Sequence, residues 1–503
     1  MPDPIATLRS RLAEVEDLRY AAQLLEWDQQ TMMPPAGAAP RAEALATLGR
    51  VAHEAFISER TGALLEAAER AAESFDPDSD EAALTRLTRR GYDKARLVPS
   101  QLAAELARAA STGQEAWVAA REQSDFAAFA PHLEHNLALA RQYVECFQTF
   151  DCAYDALLDD YEPGMRAADV DRLFSELRDG LVPLIATLRQ HADRVDDRAL
   201  HGQFEIGAQR RLAREVISLM GFTEDAWRFD DAVHPFAVGI GAGDVRITTR
   251  WEEGYFASSL FGAMHECGHG LYEAGVDARL RRSPLGHGES LGLHESQSRL
   301  WENMVGRSRP FADALAPRIA HAFGAPGAAL DPETLFRAVN KVRPSLIRVE
   351  ADEATYGLHI VLRFELEQEL IEGRLAVADL PQAWNERMER YLGIAVPDDA
   401  HGVLQDVHWS AGLIGYFPTY ALGNLIAGQL WARAHADIPD LEPRLAAGEL
   451  VPLREWLREH VHRHGAKFRT AELLERVVGG PIAVEPFLDY LRAKLGAVYD
   501  VKL

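Results

Sequence analysis

The sequence predicts a mainly α-helical fold: one large helical domain over residues 1–503 with a single small β-sheet set into it. Three observations carry this expectation. Apolar residues recur three and four positions apart in IATLRSRLAEVEDLRYAAQLLEWD, LDPETLFRAVNKV and VEPFLDYLRAKLGAVYD, and Ala, Leu, Glu and Arg, all strong helix formers, fill the positions between them. Proline and glycine clusters such as MMPPAGAAP and FGAPGAALDP punctuate these segments, and none is long or polar enough to be a flexible linker. Only GDVRITTRW, residues 243–251, has period two: Val245, Ile247 and Thr249 alternate with Arg246, Thr248 and Arg250, as in a half-buried strand.

Taken in order, the N-terminal MPDPIATLRSRLAEVEDLRY carries charges throughout and has no apolar core of signal-peptide length. No later stretch has the uninterrupted apolar run of a membrane span. Cys146, Cys152 and Cys267 are an odd set without framework spacing, which points to a reducing, cytoplasmic setting. Lysine and arginine number 53 against 77 acidic residues, a formal charge of −24. Such a surface repels phosphate backbones, so nucleic acid is not expected as a partner, and without an apolar span neither is a membrane.

The predicted strand precedes AMHECGHGLYEAG, residues 263–275, where its edge could pair with an extended peptide. Within that stretch His265, Glu266 and His269 fit H-E-x-x-H, in which a helix presents two imidazoles from successive turns to one zinc ion. Ser258 or Ser259 is expected to cap this helix, and Gly275 to end it in the left-handed conformation. Gly262, Gly268 and Gly270 each cost about 1 kcal/mol in a helix interior, which implies close approach of another backbone. Cys267 lies about 200° around the helix from His265 and faces away from any ion.

Zinc needs a third protein ligand, and Glu273, Glu289, Glu295 and Glu302 are the acids downstream. Glu289 falls in the glycine-rich SPLGHGESLG, a loop. Glu295 falls in HESQSRLWENMV, which has helical periodicity and can hold a carboxylate rigidly, so Glu295 is the expected ligand. Two histidines and a glutamate leave zinc a fourth position for water, and Glu266 beside a ligand can take the water's proton. That chemistry hydrolyses peptide bonds, with an oxyanion donor still required from another segment.

Six further stretches, HPF (His234–Phe236), DVRIT (Asp244–Thr248), HESQ (His294–Gln297), IRVEAD (Ile347–Asp352), GVLQDVHW (Gly402–Trp409) and the N-terminal LLEWDQQTMMPPAGAAPRAEALATL, occur in an order and spacing similar to a known family. Together with HECGH the sequence resembles the metallocarboxypeptidases of the thermostable carboxypeptidase Taq type along essentially its whole length. The resemblance implies a helical single domain with a deep central groove, distantly similar in architecture to neurolysin and angiotensin-converting enzyme, and a homodimer. It implies N-terminal helices in the groove wall, the zinc site within 234–300 and the groove's closed end within 347–420.

Carried over by motif, His265, His269 and Glu295 are the expected zinc ligands, with Co2+ or Mn2+ as substitutes, and Glu266 is the general base and acid. Arg348, with Arg246 as second choice, is expected to receive the terminal carboxylate of a peptide. His234 and Gln405 join them as substrate-binding residues, and His408 and Tyr420 stabilise the oxyanion, with Tyr416 the alternative tyrosine. The acid that should orient a zinc histidine is not evident, because Arg299 stands four after Glu295 where related zinc enzymes carry an acid; Asp352 and Asp244 are the expectations. The expected reaction is release of single residues from peptides with a free C-terminus. The rivals are an oligoendopeptidase cleaving internally in the same groove and a peptide-binding protein without chemistry.

Overall fold

The computed structural model describes residues 3–503, of which 69% of the chain is helical, with one three-stranded sheet. Five helices build the site and are labelled here: α1 (Pro4–Thr31), α2 (Phe256–Gly275), α3 (Leu291–Arg299), α4 (Glu353–Ile371) and α5 (Pro418–Asp437). Among the described residues, no helix is long and apolar enough to cross a membrane.

The sheet contains β1 (Trp227–Asp231), β2 (Ala237–Gly241) and β3 (Asp244–Thr249). Its order is β1-β3-β2, with β3 parallel to β1 and antiparallel to β2. The strand expected over 243–251 is therefore β3, but it is the central strand. Both of its edges are already hydrogen-bonded, so it cannot pair with a peptide. Val245 and Ile247 bury their side chains toward α2, and the Trp27 ring at the end of α1 lies 4.2 Å from the Arg246 guanidinium and 5.0 Å from that of Arg228.

α2 begins earlier than its serines suggest. Tyr255 occupies the cap position without a side-chain bond, while the Ser258 hydroxyl donates to Tyr255 O and the Ser259 hydroxyl to Gln209. The helix does not end in a left-handed residue either: Gly275 is helical, and a Cβ there would meet His462 Cβ at 2.6 Å and its ring at 2.9 Å. Two of the three interior glycines answer to packing, whereas a Cβ on Gly262 would meet only Thr249 Oγ1, at 3.4 Å. A Cβ on Gly268 would lie 2.8 Å from Gln297 O and from Ser298 Cα, and one on Gly270 would lie 2.3 Å from the Trp227 ring. Gly268 thus lets α2 and α3 approach backbone to backbone.

One apolar core runs from Ala120 to Tyr499 and includes α2, α4 and α5. A second gathers Ile5, Leu8, Leu12 and Val15 of α1 with Phe56, Leu65, Leu84 and Tyr92, and closes on Val276, Leu280 and Leu285, just beyond the end of α2.

Candidate metal centre and catalytic site

His265 and His269 stand one turn apart on α2, and Glu295 projects from α3 against them. Their Nε2 atoms lie 3.6 and 3.4 Å from Glu295 Oε2, and all three atoms fall within 4.8 Å of one another. Ligand atoms about 2.1 Å from a tetrahedral zinc would be about 3.4 Å apart, so this donor set fits such an ion. Both imidazoles are oriented from behind. His265 Nδ1 meets Glu302 Oε2 at 2.9 Å, and His269 Nδ1 meets His294 Nδ1 at 2.6 Å, with His294 Nε2 on Glu273 Oε1 at 3.1 Å. Hydrogen bonds at Nδ1 present the Nε2 atoms to a common point. The side chains of His265 and His269 remain 18% and 19% exposed, which leaves the point reachable from solvent.

The acid behind His265 is therefore Glu302, and neither Asp352 nor Asp244 takes that place. Asp352 caps α4, accepting from Ala354 N and Thr355 N, and Asp244 accepts both donors of Arg246. Glu302 lies in a π-helical turn, Leu300–Val305, that continues α3 with wider turns. Burial pushes Glu302 up, but Arg307, His265 and Arg299 hold it at about 2. The remaining two acids considered as ligands are engaged elsewhere: Glu273 on His294, and Glu289 on the Thr470 amide and hydroxyl.

Glu266 follows His265 and is 6% exposed. Burial pushes its carboxyl up to about 7, with Glu295 and Glu302 adding to the shift against His265. A carboxylate with that affinity for protons can accept and return one near neutral pH. Cys267 is fully buried and takes no part.

Arg348, in a short turn before α4, is 5% exposed. Its Nε and Nη2 donate to Asp406 Oδ1 and its Nη1 to the Tyr356 hydroxyl, leaving one N–H on each terminal nitrogen. The Tyr420 ring lies 4.9 Å from the guanidinium. Asp406 also binds Arg363, and these two arginines hold it well below the usual carboxylate range against burial. Arg348 thus pairs with neither Glu350 nor Asp352 among its neighbours in sequence.

Gln405 differs from the expectation. Its amide oxygen accepts from Arg348 N at 2.8 Å and its NH2 donates to Leu346 O and Gly402 O, so the side chain is spent on backbone and fixes the Arg348 turn instead of facing a peptide. Arg246 gives its fork to Asp244, and His234 is exposed on the connection between β1 and β2 without a hydrogen-bond partner among the described residues.

His408 belongs to the irregular segment 402–415, which Glu367 anchors by accepting from Trp409 Nε1 and Gly415 N. Its Nε2 meets the Tyr420 hydroxyl at 3.1 Å, while Nδ1 is buried without a partner. Burial, with Arg348 and Arg363 nearby, pulls its pKa down to about 3, so the ring is neutral. A bare Nδ1 is the cheaper of the two tautomers here, because an unpaired buried N–H costs more than an unpaired lone pair site. Nε2–H then donates to the Tyr420 oxygen and leaves the phenol hydrogen free. Burial raises the Tyr420 pKa well above its ordinary value. Tyr420 is three residues before Gly423 on α5, and a Cβ on Gly423 would lie 2.6 Å from Glu295 Cγ, so Tyr420 is on the face of α5 that meets Glu295.

A family profile described as carboxypeptidase Taq (M32) metallopeptidase matches residues 7–495. The chain is 44% identical to thermostable carboxypeptidase 1 of Thermus thermophilus over 99% of both chains, and 34% identical to carboxypeptidase 1 of Bacillus subtilis over 97% of both. Its fold is similar to that of the M32 carboxypeptidase from Deinococcus radiodurans R1, with a TM-score of 0.96, 39% identity and coverage of 99% of this chain and 100% of that one. It is also similar to Trypanosoma cruzi metallocarboxypeptidase 1, with a TM-score of 0.93, 32% identity and coverage of 98% and 99%.

Proposed function

This chain belongs to the carboxypeptidase Taq (M32) metallopeptidase family and is a metallocarboxypeptidase; on that premise we propose that His265, His269 and Glu295 hold a zinc ion and that Glu266, Tyr420 and Arg348 carry out the reaction around it. The convergence of two Nε2 atoms on Glu295 Oε2, with Glu266 alongside, is the observation that carries this reading. When bound, zinc supplies Lewis acidity that acidifies water and polarises the scissile carbonyl; Co2+ and Mn2+ suit the same donors.

The residues divide the remaining work. Glu266 accepts the proton of the attacking water and returns it to the leaving amine, the role open to a buried carboxyl adjacent to a ligand histidine. The Tyr420 hydroxyl, its oxygen held by His408, donates to the oxyanion of the tetrahedral adduct. Arg348 receives the terminal carboxylate of the peptide on its two free N–H groups, and Asp406, Gln405 and Tyr356 hold it in position. Arg246 is the second choice because Asp244 already takes its fork, and His234, exposed between β1 and β2, is retained as a substrate-binding candidate.

We place the enzyme in the cytoplasm, as a homodimer and one catalytic unit over residues 1–503; the three free cysteines support the first and family likeness the second. The test is a paired digest of one peptide as free acid and as C-terminal amide, with metal analysis of the purified protein. Stepwise release from the free acid alone is expected, and Arg348→Ala should lower kcat/KM for the acid by a few kcal/mol of transition-state binding, about 10²-fold or more, while changing the amide far less. Equal losses on both substrates would make Arg348 structural, and internal cleavage of the amide would make the enzyme an endopeptidase.

A further inference from the structure

The residue four after Glu295, where an acid is absent, is Arg299, a cation in direct contact with Glu295. Arg299 Nε donates to Glu295 Oε1 at 2.7 Å. The other oxygen of that carboxylate, Oε2, faces both histidine Nε2 atoms and accepts from the Ser298 hydroxyl at 3.1 Å. The two oxygens of Glu295 are thus divided, one toward the guanidinium and one toward the imidazoles. Arg299 Nη1 also reaches Glu302 Oε2 at 3.5 Å, the same oxygen that meets His265 Nδ1. One guanidinium therefore contacts the acid facing the imidazoles and the acid behind one of them.

The guanidinium is itself held. The Tyr356 ring on α4 lies 4.2 Å from its Cζ, and Arg307 Nη2 closes on the second oxygen of Glu302 at 2.9 Å. An i, i+4 glutamate–arginine pair on a helix surface contributes only tenths of a kcal/mol, and burying an arginine costs more than that. With a side chain only 14% exposed, Arg299 is poorly explained as helix stabilisation.

We propose that Arg299 is a positioning residue: it holds Glu295 Oε1 away from the ion, so that Glu295 serves as a one-oxygen ligand, and through Glu302 it fixes the ring of His265. The proposal rests on the assignment of His265, His269 and Glu295 as the ligands. Without the guanidinium, Glu295 Oε1 is free to swing toward the ion, changing the coordination number and the room left for water and substrate. Lysine, a single point donor, restores the contact to Oε1 but not the bridge to Glu302.

The experiment compares Arg299→Met, Arg299→Lys and Arg307→Met, the last removing a partner of Glu302 that does not touch Glu295. Thermal unfolding of the metal-free proteins gives folding, competition with a chromophoric chelator gives zinc affinity, and the visible absorption of the cobalt-loaded proteins gives coordination. Arg299→Met should bind zinc about 10–100-fold more weakly and change the cobalt spectrum. Arg299→Lys should recover part of the affinity and more of the spectrum, and Arg307→Met should keep the wild-type spectrum. Should Arg299→Met not fold, Arg299→Lys against Arg307→Met carries the same comparison. Wild-type zinc affinity and cobalt spectrum in both Arg299 variants, whatever their melting temperatures, would overturn the proposal. Cobalt binding in Glu295→Ala with an unchanged spectrum would overturn the ligand set itself, and this inference with it.

Discussion

Replacing Gly423 by alanine tests whether α5 positions Glu295, the proposed metal ligand, by contact. The added Cβ would stand 2.6 Å from Glu295 Cγ, 2.7 Å from its Cβ and 3.2 Å from its backbone carbon. Carbon atoms rest at about 3.5–4.0 Å, so roughly 1 Å of displacement is required, and it falls on the rooted part of the side chain instead of a flexible tip. Overpacking of this kind costs about 1–3 kcal/mol of stability. A ligand carboxylate must be held to about 0.5 Å, so the same shift should weaken zinc binding about 10–100-fold. The matched control is Gly428→Ala, five residues on, where the new Cβ would meet Phe487 backbone at 2.9 Å, away from the site. Chelator competition and urea unfolding on both variants separate the effects: both should lose stability and only Gly423→Ala should lose metal affinity. Equal zinc affinity in the two variants would refute the claim that this contact sets the ligand's position.

Three other expectations follow from the geometry. Glu266→Gln should keep the metal and lose about 10²-fold or more in kcat, since the amide retains shape but cannot accept a proton; an active variant would remove the general-base role. Tyr420→Phe should lower kcat about 10²-fold with little change in KM, and an equal loss in Tyr416→Phe alone would move the donor to that residue. His287, which burial pulls down but hydrogen bonds to Glu16 and Glu273 push up to about 9, stabilises the fold fully below its unfolded pKa near 6.5 and loses that contribution as pH rises through 9. His287→Gln should therefore destabilise the metal-free protein by up to about 3 kcal/mol at pH 6 and by much less at pH 9.5; a deficit independent of pH would show that His287 acts by packing alone.

The helical fold was legible because periodicity and composition agree over long segments, and the 243–251 strand emerged within two residues at its C-terminal end. Its place in the sheet did not. β1 reads WRFDD and β2 reads AVGIG, the first crowded with charges and the second with glycine, so neither shows the alternation that would have revealed two neighbours for β3. At the site, H-E-x-x-H and the helical position of Glu295 can be read from spacing, since both are local. Glu302 was visible only as one acid among four, because a 3.6-residue period cannot foresee the π turn that aims it at His265. Arg348 illustrates a second limit: its acidic partner is Asp406, 58 positions away, although Glu350 and Asp352 stand nearer in the sequence.

The line of side chains behind His269 continues beyond Glu273. His287 Nδ1 lies 3.6 Å from Glu273 Oε2, and His287 Nε2 lies 3.4 Å from Glu16 Oε2, across a sequence separation of 271 residues. During synthesis α1 therefore emerges long before the segment it will hold. At about 5–20 residues per second, Glu16 and the apolar face of Ile5, Leu8 and Leu12 wait roughly a quarter of a minute to a minute for Val276, Leu280, Leu285 and His287. Closing a loop of that length costs on the order of 5 kcal/mol of chain entropy, which the second apolar core offsets. The nascent chain thus carries His269 before its support from the first helix is docked, so the candidate metal centre is completed only after that docking.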